Sequence, residues 1–183
     1  MSKAAIILAN GFEEIEGLTV VDLLRRANIS IDMVSISGSK KVIGAHHISV
    51  EADYLFEEYL FGALDLLVLP GGMPGTKHLL AHSGLKEILK EFHKSDKLLA
   101  AICAAPSVFG QAGILNGKKA VCYPGFEEQL LGADVCFDEV VTDGTVITSR
   151  GLGTAIPFSL AIITYLCGSQ VAEDISKSII YKQ

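Results

Sequence analysis

The sequence predicts an α/β domain in which a doubly wound, mostly parallel sheet carries helices on both faces. Short apolar runs rich in Ile, Leu and Val are bounded by Gly, Asn or Asp, which is typical of buried strands. Longer segments between them place apolar residues three or four positions apart, as amphipathic helices do. Because doubly buried strands that alternate with helices form parallel sheets, we expect one α/β domain over residues 1–183.

The first half of the chain alternates predicted strands and helices. Strands are expected at residues 4–9, 30–36 and 65–69, and helices at 13–27 and 84–93. Ser83 is the expected N-cap of the second helix, because a Ser side chain accepts a hydrogen bond from the first turn. Residues 41–54 are predicted to form a two-strand excursion around Gly44.

The second half continues the alternation. Strands are expected at residues 97–102, 119–123, 139–142 and 146–148. One helix should begin just after Cys103, and two more are predicted at 151–166 and 171–180.

Composition restricts the class of partner. The net charge is −6 and no cluster of basic residues is larger than a pair, which argues against nucleic acid or an anionic membrane as a partner. The N-terminal apolar run is shorter than a signal peptide needs, and no run approaches the roughly 20 residues of a membrane span. We therefore expect a cytoplasmic protein whose four cysteines are reduced and form no zinc-binding spacing.

Three predicted strands end in segments suited to binding. They are followed by Asn10-Gly11, by Pro70-Gly71-Gly72 and by Cys103. Because doubly wound folds bind ligands at the carboxyl ends of their strands, we expect these segments to meet in one site.

The sequence around Cys103 allows two interpretations of this residue. A lone cysteine in an apolar run is commonly a small core residue. Its alanine neighbours and Pro106, which suits the first turn of a helix, indicate instead a sharp strand-to-helix turn like a nucleophile elbow. The N-terminus of the following helix should favour the thiolate, so we interpret Cys103 as a nucleophile.

Glu16 is the expected acid–base partner of this thiol. Acidic residues in a first helical turn commonly compensate the helix dipole on a solvated face, but Glu16 can turn inward. A carboxyl group shielded beside a thiolate should have a raised pKa and act as a general acid. The N–H groups of Gly71 and Gly72 are expected to form an oxyanion cradle.

With these residues in place, the chain resembles the DJ-1/ThiJ/PfpI superfamily, and within it the DJ-1 and ThiJ-like branch. The resemblance spans nearly the whole chain through four segments in family order. They are ANGFEEIEGLTVVDLLRRA (9–27), LDLLVLPGGMPG (64–75), LLAAICAAPSVFGQAGIL (98–115) and TSRGLGTAIPFSLAII (148–163).

The resemblance implies a flavodoxin-like fold, a homodimer, and no cofactor or metal. It implies that Cys103 is the elbow cysteine, that Glu16 bonds to it, and that the N–H groups of Gly71, Gly72 and Ala104 face the thiol. It also implies that Arg150 and Gly151 close one side of the pocket. The protease-like branch carries a histidine where this chain has Ala104, and by the same resemblance DJ-1 members carry one at the position of Tyr123.

The resemblance implies a cysteine-dependent activity on small reactive aldehydes or glycated substrates, of the glyoxalase III or deglycase type. The alternatives are a redox sensor or redox-linked chaperone acting through Cys103, and a role in thiamine-precursor metabolism that only a family label supports. A glutaminase-type triad is disfavoured because no histidine follows Cys103.

The histidines are assigned structural roles. His78 and His82 are four apart, as zinc ligands on one helix face are, but no third ligand has suitable spacing. His46 and His47 lie in the excursion and are expected to be exposed or at a subunit contact.

Overall fold

The structure is a computed structural model that describes residues 2–182. Its strands alternate with helices along most of the chain. In chain order the strands are β1 (Lys3–Leu8), β2 (Ser30–Ser35), β3 (Lys41–Ile43), β4 (Ser49–Glu51), β5 (Tyr54–Leu55), β6 (Leu66–Leu69), β7 (Leu98–Ile102), β8 (Lys119–Ala120), β9 (Asp134–Val135), β10 (Val140–Asp143) and β11 (Val146–Ser149). The helices are α1 (Glu14–Arg26), α2 (Gly75–Ala81), α3 (Ser83–Lys94), α4 (Pro106–Gln111), α5 (Ala155–Cys167) and α6 (Ser169–Ser178).

The central sheet has the spatial order β10–β11–β7–β6–β1–β2–β5. All of its neighbouring strands are parallel except the β10–β11 hairpin. The chain winds outward from β1 through β2 and then crosses to β6, β7 and β11 on the other side. The switch in winding direction therefore lies between β1 and β6, where a doubly wound sheet opens a crevice at the carboxyl ends of its strands.

Both faces of the sheet are buried, as the apolar runs predict. In β1, Ala4, Ile6 and Leu8 pack into the core beneath α1 and α5, whereas Ala5 and Ile7 pack into the core beneath α3 and α4. This alternation follows from the two-residue period of a strand. The fold class predicted from the sequence is confirmed.

The 119–123 strand is shorter than predicted and lies outside the main sheet. Only Lys119–Ala120 forms a ladder, and its partner is β9. Strand β11 is already flanked by β7 and β10, so it has no free edge for another strand. Val121 N–H bonds instead to the side chain of Thr148, at 3.0 Å.

The 151–166 helix begins later than predicted. Thr154 Oγ1 accepts a hydrogen bond from Gly151 N–H at 3.0 Å and closes a 3₁₀ turn over Leu152–Thr154, after which α5 begins at Ala155. Gly168, with φ 88°, ends the region and lets α6 start at once, two residues before the predicted 171.

Two further details of the helices differ from expectation. His82 rather than Ser83 caps α3, because its Nδ1 accepts a hydrogen bond from Leu85 N–H at 3.0 Å while Ser83 is already helical. Helix α2 was not predicted, since Pro74 obscures its start. None of the helices between residues 2 and 182 combines the length and apolar character required to cross a bilayer.

Candidate active site

A strained turn sets Cys103 apart from the rest of β7. The residue has φ 64°, a left-handed conformation that non-glycine residues seldom adopt. Its N–H donates to the Ser149 carbonyl at 3.0 Å, and its carbonyl accepts from Tyr123 N–H at 2.8 Å. Helix α4 follows after two alanines, with Pro106 as its first residue. The predicted strand-to-helix turn is therefore present, and the backbone hydrogen bonds with Ser149 and Tyr123 hold it in place.

The thiol of Cys103 lies against a carboxyl group and two backbone donors. Glu16, on the first turns of α1, is buried and hydrogen-bonds to the thiol. The N–H groups of Gly72 and Ala104 also bond to the sulfur. Gly71 differs from expectation, because its N–H donates to Glu16 Oε2 at 3.0 Å rather than to the thiol. The donors near the sulfur are thus Gly72 and Ala104, and Gly71 orients the acid.

Burial raises the pKa of Glu16 to about 7, and the nearby Glu13 charge adds to the rise. Hydrogen bonds from Cys103 and Gly71 act in the opposite direction. A carboxyl group with this pKa is half charged near neutral pH, so it can both accept and return a proton. The raised pKa expected for Glu16 is therefore present.

The expected stabilisation of the thiolate is wrong for the resting site. Burial, together with the charge and hydrogen bond of Glu16, raises the pKa of Cys103 to about 12, although the N–H groups of Gly72 and Ala104 lower it. Helix α4 is only six residues long, and the field at its N-terminus does not offset the burial and the Glu16 charge. The pair therefore keeps a proton on sulfur, and the thiolate forms when Glu16 takes that proton.

The thiol opens into a cleft of about 370 Å³. Large apolar side chains form one part of its wall, namely Met73, Tyr123, Phe126 and Leu152. Groups that can ionise form the other part, namely Glu13, Glu16 and His46 beside Cys103. This cleft has room for a small organic molecule with an apolar portion and a polar reacting centre.

The other residues implied by the resemblance occupy different positions around the cleft. Tyr123 is half exposed in its wall. Gly151 lies behind it, and a Cβ there would be 3.2 Å from the Tyr123 ring and 3.8 Å from Glu16 Oε1. Arg150 points elsewhere, with its Nη1 donating to the Phe137 carbonyl at 3.2 Å and its guanidinium over the Phe137 ring. The described lining of the cleft does not include the Arg150 side chain.

The loop 44–48, between β3 and β4, contributes a wall that sequence reasoning missed. Gly11 N–H donates to Ile43 O at 2.7 Å, and Ala45 N–H donates to Phe12 O at 2.8 Å. These bonds seat the loop on the segment that joins β1 to α1. They bring His46 into the lining of the cleft that holds Glu16, so a second acid–base group faces this cleft.

Glu14 fixes this loop from inside the protein. Its buried carboxylate accepts hydrogen bonds from His46 N–H at 2.8 Å and Ile48 N–H at 3.3 Å, and its other oxygen lies 2.9 Å from His46 Nδ1. Burial would raise the pKa of Glu14, but these bonds and one from its own backbone lower it overall. The bond to Glu14 is the main cause of the raised pKa of His46.

Among residues 2–182, one group of side chains brings potential metal-ligating atoms together: those of Glu13, Glu14 and His46 lie within 4.8 Å of one another. Glu14 already uses both oxygens to hold the loop, so we describe the group as a hydrogen-bonded cluster. His78 and His82 do not join such a group: His78 Nδ1 bonds to Asn10 O at 2.9 Å, and His82 Nδ1 caps α3.

Comparison with known proteins places the chain among relatives of similar architecture. It is 35% identical over 182 residues to protein DJ-1 homolog B of Arabidopsis thaliana, covering 98% of this chain but 42% of that protein. It is 35% identical over 183 residues to protein dj-1beta of Drosophila melanogaster, covering 98% of each chain. A deglycase of Pyrococcus abyssi is 31% identical over 150 residues, which cover 81% of this chain and 89% of that protein.

A solved structure agrees at the level of the fold. The oxidised form of Toxoplasma gondii DJ-1 superposes with a TM-score of 0.96 at 32% identity and covers 100% of both chains. The model of the DJ-1/PfpI family matches residues 2–165. These matches agree with the flavodoxin-like sheet described above, and we conclude that the chain belongs to the DJ-1/PfpI family.

Proposed function

We propose that this protein is a thiol enzyme that acts on small reactive carbonyl compounds, as a glyoxalase III-type lyase or a deglycase. The observation that carries the proposal is the pairing of Cys103 with Glu16 in an open cleft, with backbone donors from Gly72 and Ala104 at the sulfur. The archaeal relative named as a deglycase supports the same class of chemistry.

In the first step, the Cys103 sulfur attacks the aldehyde carbon of a 2-oxoaldehyde such as methylglyoxal. A carbon–sulfur bond forms and the carbonyl double bond opens, while Glu16 accepts the thiol proton and then protonates the new oxygen to give a hemithioacetal. We expect the N–H groups of Gly72 and Ala104, which bond to the sulfur, to stabilise the developing oxyanion beside it.

In the second step, Glu16 takes the proton from the former aldehyde carbon and returns one to the neighbouring carbon, while the hydroxyl proton on the first carbon's oxygen passes to the oxygen of the second. This oxidises the first carbon to a thioester and reduces the second to an alcohol, so no external oxidant or reductant is required. Water then hydrolyses the thioester to a 2-hydroxy acid and restores the thiol. A pKa of about 7 suits Glu16 to both transfers.

The test is turnover of methylglyoxal by the Cys103→Ser variant, for which we expect complete loss of activity. Cys136→Ser is the matched control, because Cys136 is also half-buried but lies outside the described lining of the cleft. Activity retained in Cys103→Ser would refute the proposed role of the thiol.

We also propose a second function, peroxide sensing through oxidation of Cys103. It is favoured by the similarity to the oxidised Toxoplasma DJ-1 structure and by a site in which Glu16 and two N–H groups can stabilise a sulfinate. Intact mass after mild peroxide distinguishes the two functions. A gain of two oxygen atoms that is lost in Cys103→Ala, without aldehyde turnover, would favour the sensor.

A further inference from the structure

The cleft at Cys103 has an unbalanced set of charges. Glu13 and Glu16 both place carboxyl groups in its wall. Among the described lining residues, His46 is the one whose side chain can carry a positive charge. The charge that a substrate meets in this cleft therefore depends on the protonation of one imidazole.

The position of His46 is fixed without restricting its access to solvent. The backbone of the loop is held by Glu14, and the ring is oriented by Nδ1, which lies 2.9 Å from Glu14 Oε2 and 3.3 Å from Glu13 Oε2. The His46 side chain is nevertheless 66% exposed. An oriented, exposed ring at a cleft is suited to contact incoming molecules.

We propose that His46 is a specificity-determining residue that admits carboxylate-bearing carbonyl compounds to Cys103 while its imidazole is protonated. The inference rests on the proposed function in one respect, namely that Cys103 attacks carbonyl carbons. When the ring is neutral, no positive charge compensates the negative charge of the carboxylates in the cleft wall, and an anionic compound is repelled. Neutral carbonyl compounds are accepted in both states.

The direction of the pH dependence follows from the groups that face His46. Glu13 and Glu14 flank the ring from the start of α1, and both stabilise its charged form. Glu16 lies deeper in the cleft and loses its own proton near pH 7. Admission of anions should therefore be strongest in mild acid and should fall as the pH rises through the raised pKa of His46.

The experiment compares two thiol reagents of similar size, iodoacetate and iodoacetamide, which differ in charge. In each case the Cys103 sulfur bonds to the reagent carbon, iodide leaves, and the thiol proton passes to Glu16 or solvent. The rates at Cys103 are measured by peptide mass spectrometry from about pH 6 to about pH 9. The ratio of the two rates isolates the charge effect, because the fraction of thiolate affects both reagents equally.

We expect His46→Asn to lower the iodoacetate-to-iodoacetamide ratio about fivefold at about pH 6, the effect of one partly screened charge. Asn can replace the hydrogen bond from Nδ1, and the backbone bonds to Glu14 remain, so the loop should keep its position. His47→Asn is the matched control, because the adjacent histidine is outside the described lining of the cleft. His46→Lys should keep the ratio high at about pH 9, where the wild-type ratio has fallen.

A ratio unchanged in His46→Asn, or lowered equally in His47→Asn, would overturn the proposal. Because alkylation requires no aldehyde turnover, the result is separate from the test of the proposed function. If Cys103→Ser retained methylglyoxal turnover while the ratio still depended on His46, the proposed enzyme activity would fail and the charge selection would stand.

Discussion

At the scale of single residues, the chemistry depends on how one proton is divided between Cys103 and Glu16. Burial raises the pKa of both groups, because it makes the ionised form of each one energetically unfavourable. A thiol with a pKa of about 12 is a weak nucleophile, but a carboxylate with a pKa of about 7 beside it is a suitable base. The site is therefore suited to forming the thiolate during attack instead of storing it.

Glu16→Gln tests this division of roles. Gln removes the charge and the hydrogen bond that raise the thiol pKa, so we expect that pKa to fall below about 12, while aldehyde turnover drops by roughly two orders of magnitude because the base is lost. The pH dependence of Cys103 alkylation measures the first effect, and steady-state kinetics measure the second. An unchanged or higher thiol pKa would show that Glu16 acts as a proton donor to a stored thiolate.

The substitution Gly71→Ala tests how closely the side chains of the site are packed. A Cβ at this position would lie 2.5 Å from Cys103 Cβ and 2.7 Å from Glu16 Oε2, so Gly71→Ala must separate the thiol from its acid. We expect turnover to fall at least tenfold, since small misplacements of reacting groups are costly. Gly62→Ala, at the opposite end of β6, is the control because a Cβ there meets nothing within 4 Å. Equal activity of the two variants would contradict the close packing.

At the scale of elements, the sequence predicted the sheet well because buried strands have a strong local signal. Continuous apolar runs placed β1, β6 and β7 within one residue of their observed starts, and the end of the β7 run correctly located Cys103. The wall formed by loop 44–48 was not predictable in the same way. Its position depends on the buried carboxylate of Glu14, whose partners are 32 and 34 residues away.

Glu14→Gln measures what this anchor contributes to folding. Gln cannot accept hydrogen bonds at both carboxylate positions, so at neutral pH we expect the free energy of unfolding to fall by about 1–3 kcal/mol. The folded pKa of Glu14 is lowered, so its stabilisation is present above the unfolded value of 4.5 and is lost as the pH falls through the folded value. Urea unfolding should therefore show the two proteins converging in acid; a constant difference would argue against a charged anchor.

At the scale of the whole molecule, α1 and the C-terminal helices form an open groove lined by both apolar and polar side chains. Ile15 and Leu18 recur at helical spacing with Val21 and Leu24, but Ile15 is 48% exposed and Leu18 is half-buried, whereas Val21 and Leu24 are buried. Leu18 lines a groove of about 500 Å³ together with Ile156, Ile179 and Ile180. Exposed apolar surface of this kind is typical of contact sites between subunits.

We propose that this face joins two copies of the chain in a homodimer, and Leu18→Asp tests it. An aspartate in the groove would place an unpaired charge in the contact, so sedimentation equilibrium should change from twice the chain mass of 19.5 kDa to the single chain mass. Leu60→Asp is the control, because Leu60 is 86% exposed but lies near the amino end of β1. A variant at Leu18 that stays dimeric, or a wild type that is monomeric, would rule out this face. Since α1 also carries Glu14 and Glu16 and is preceded directly by Glu13, a dimer formed here would brace the helix that positions the acid of each site.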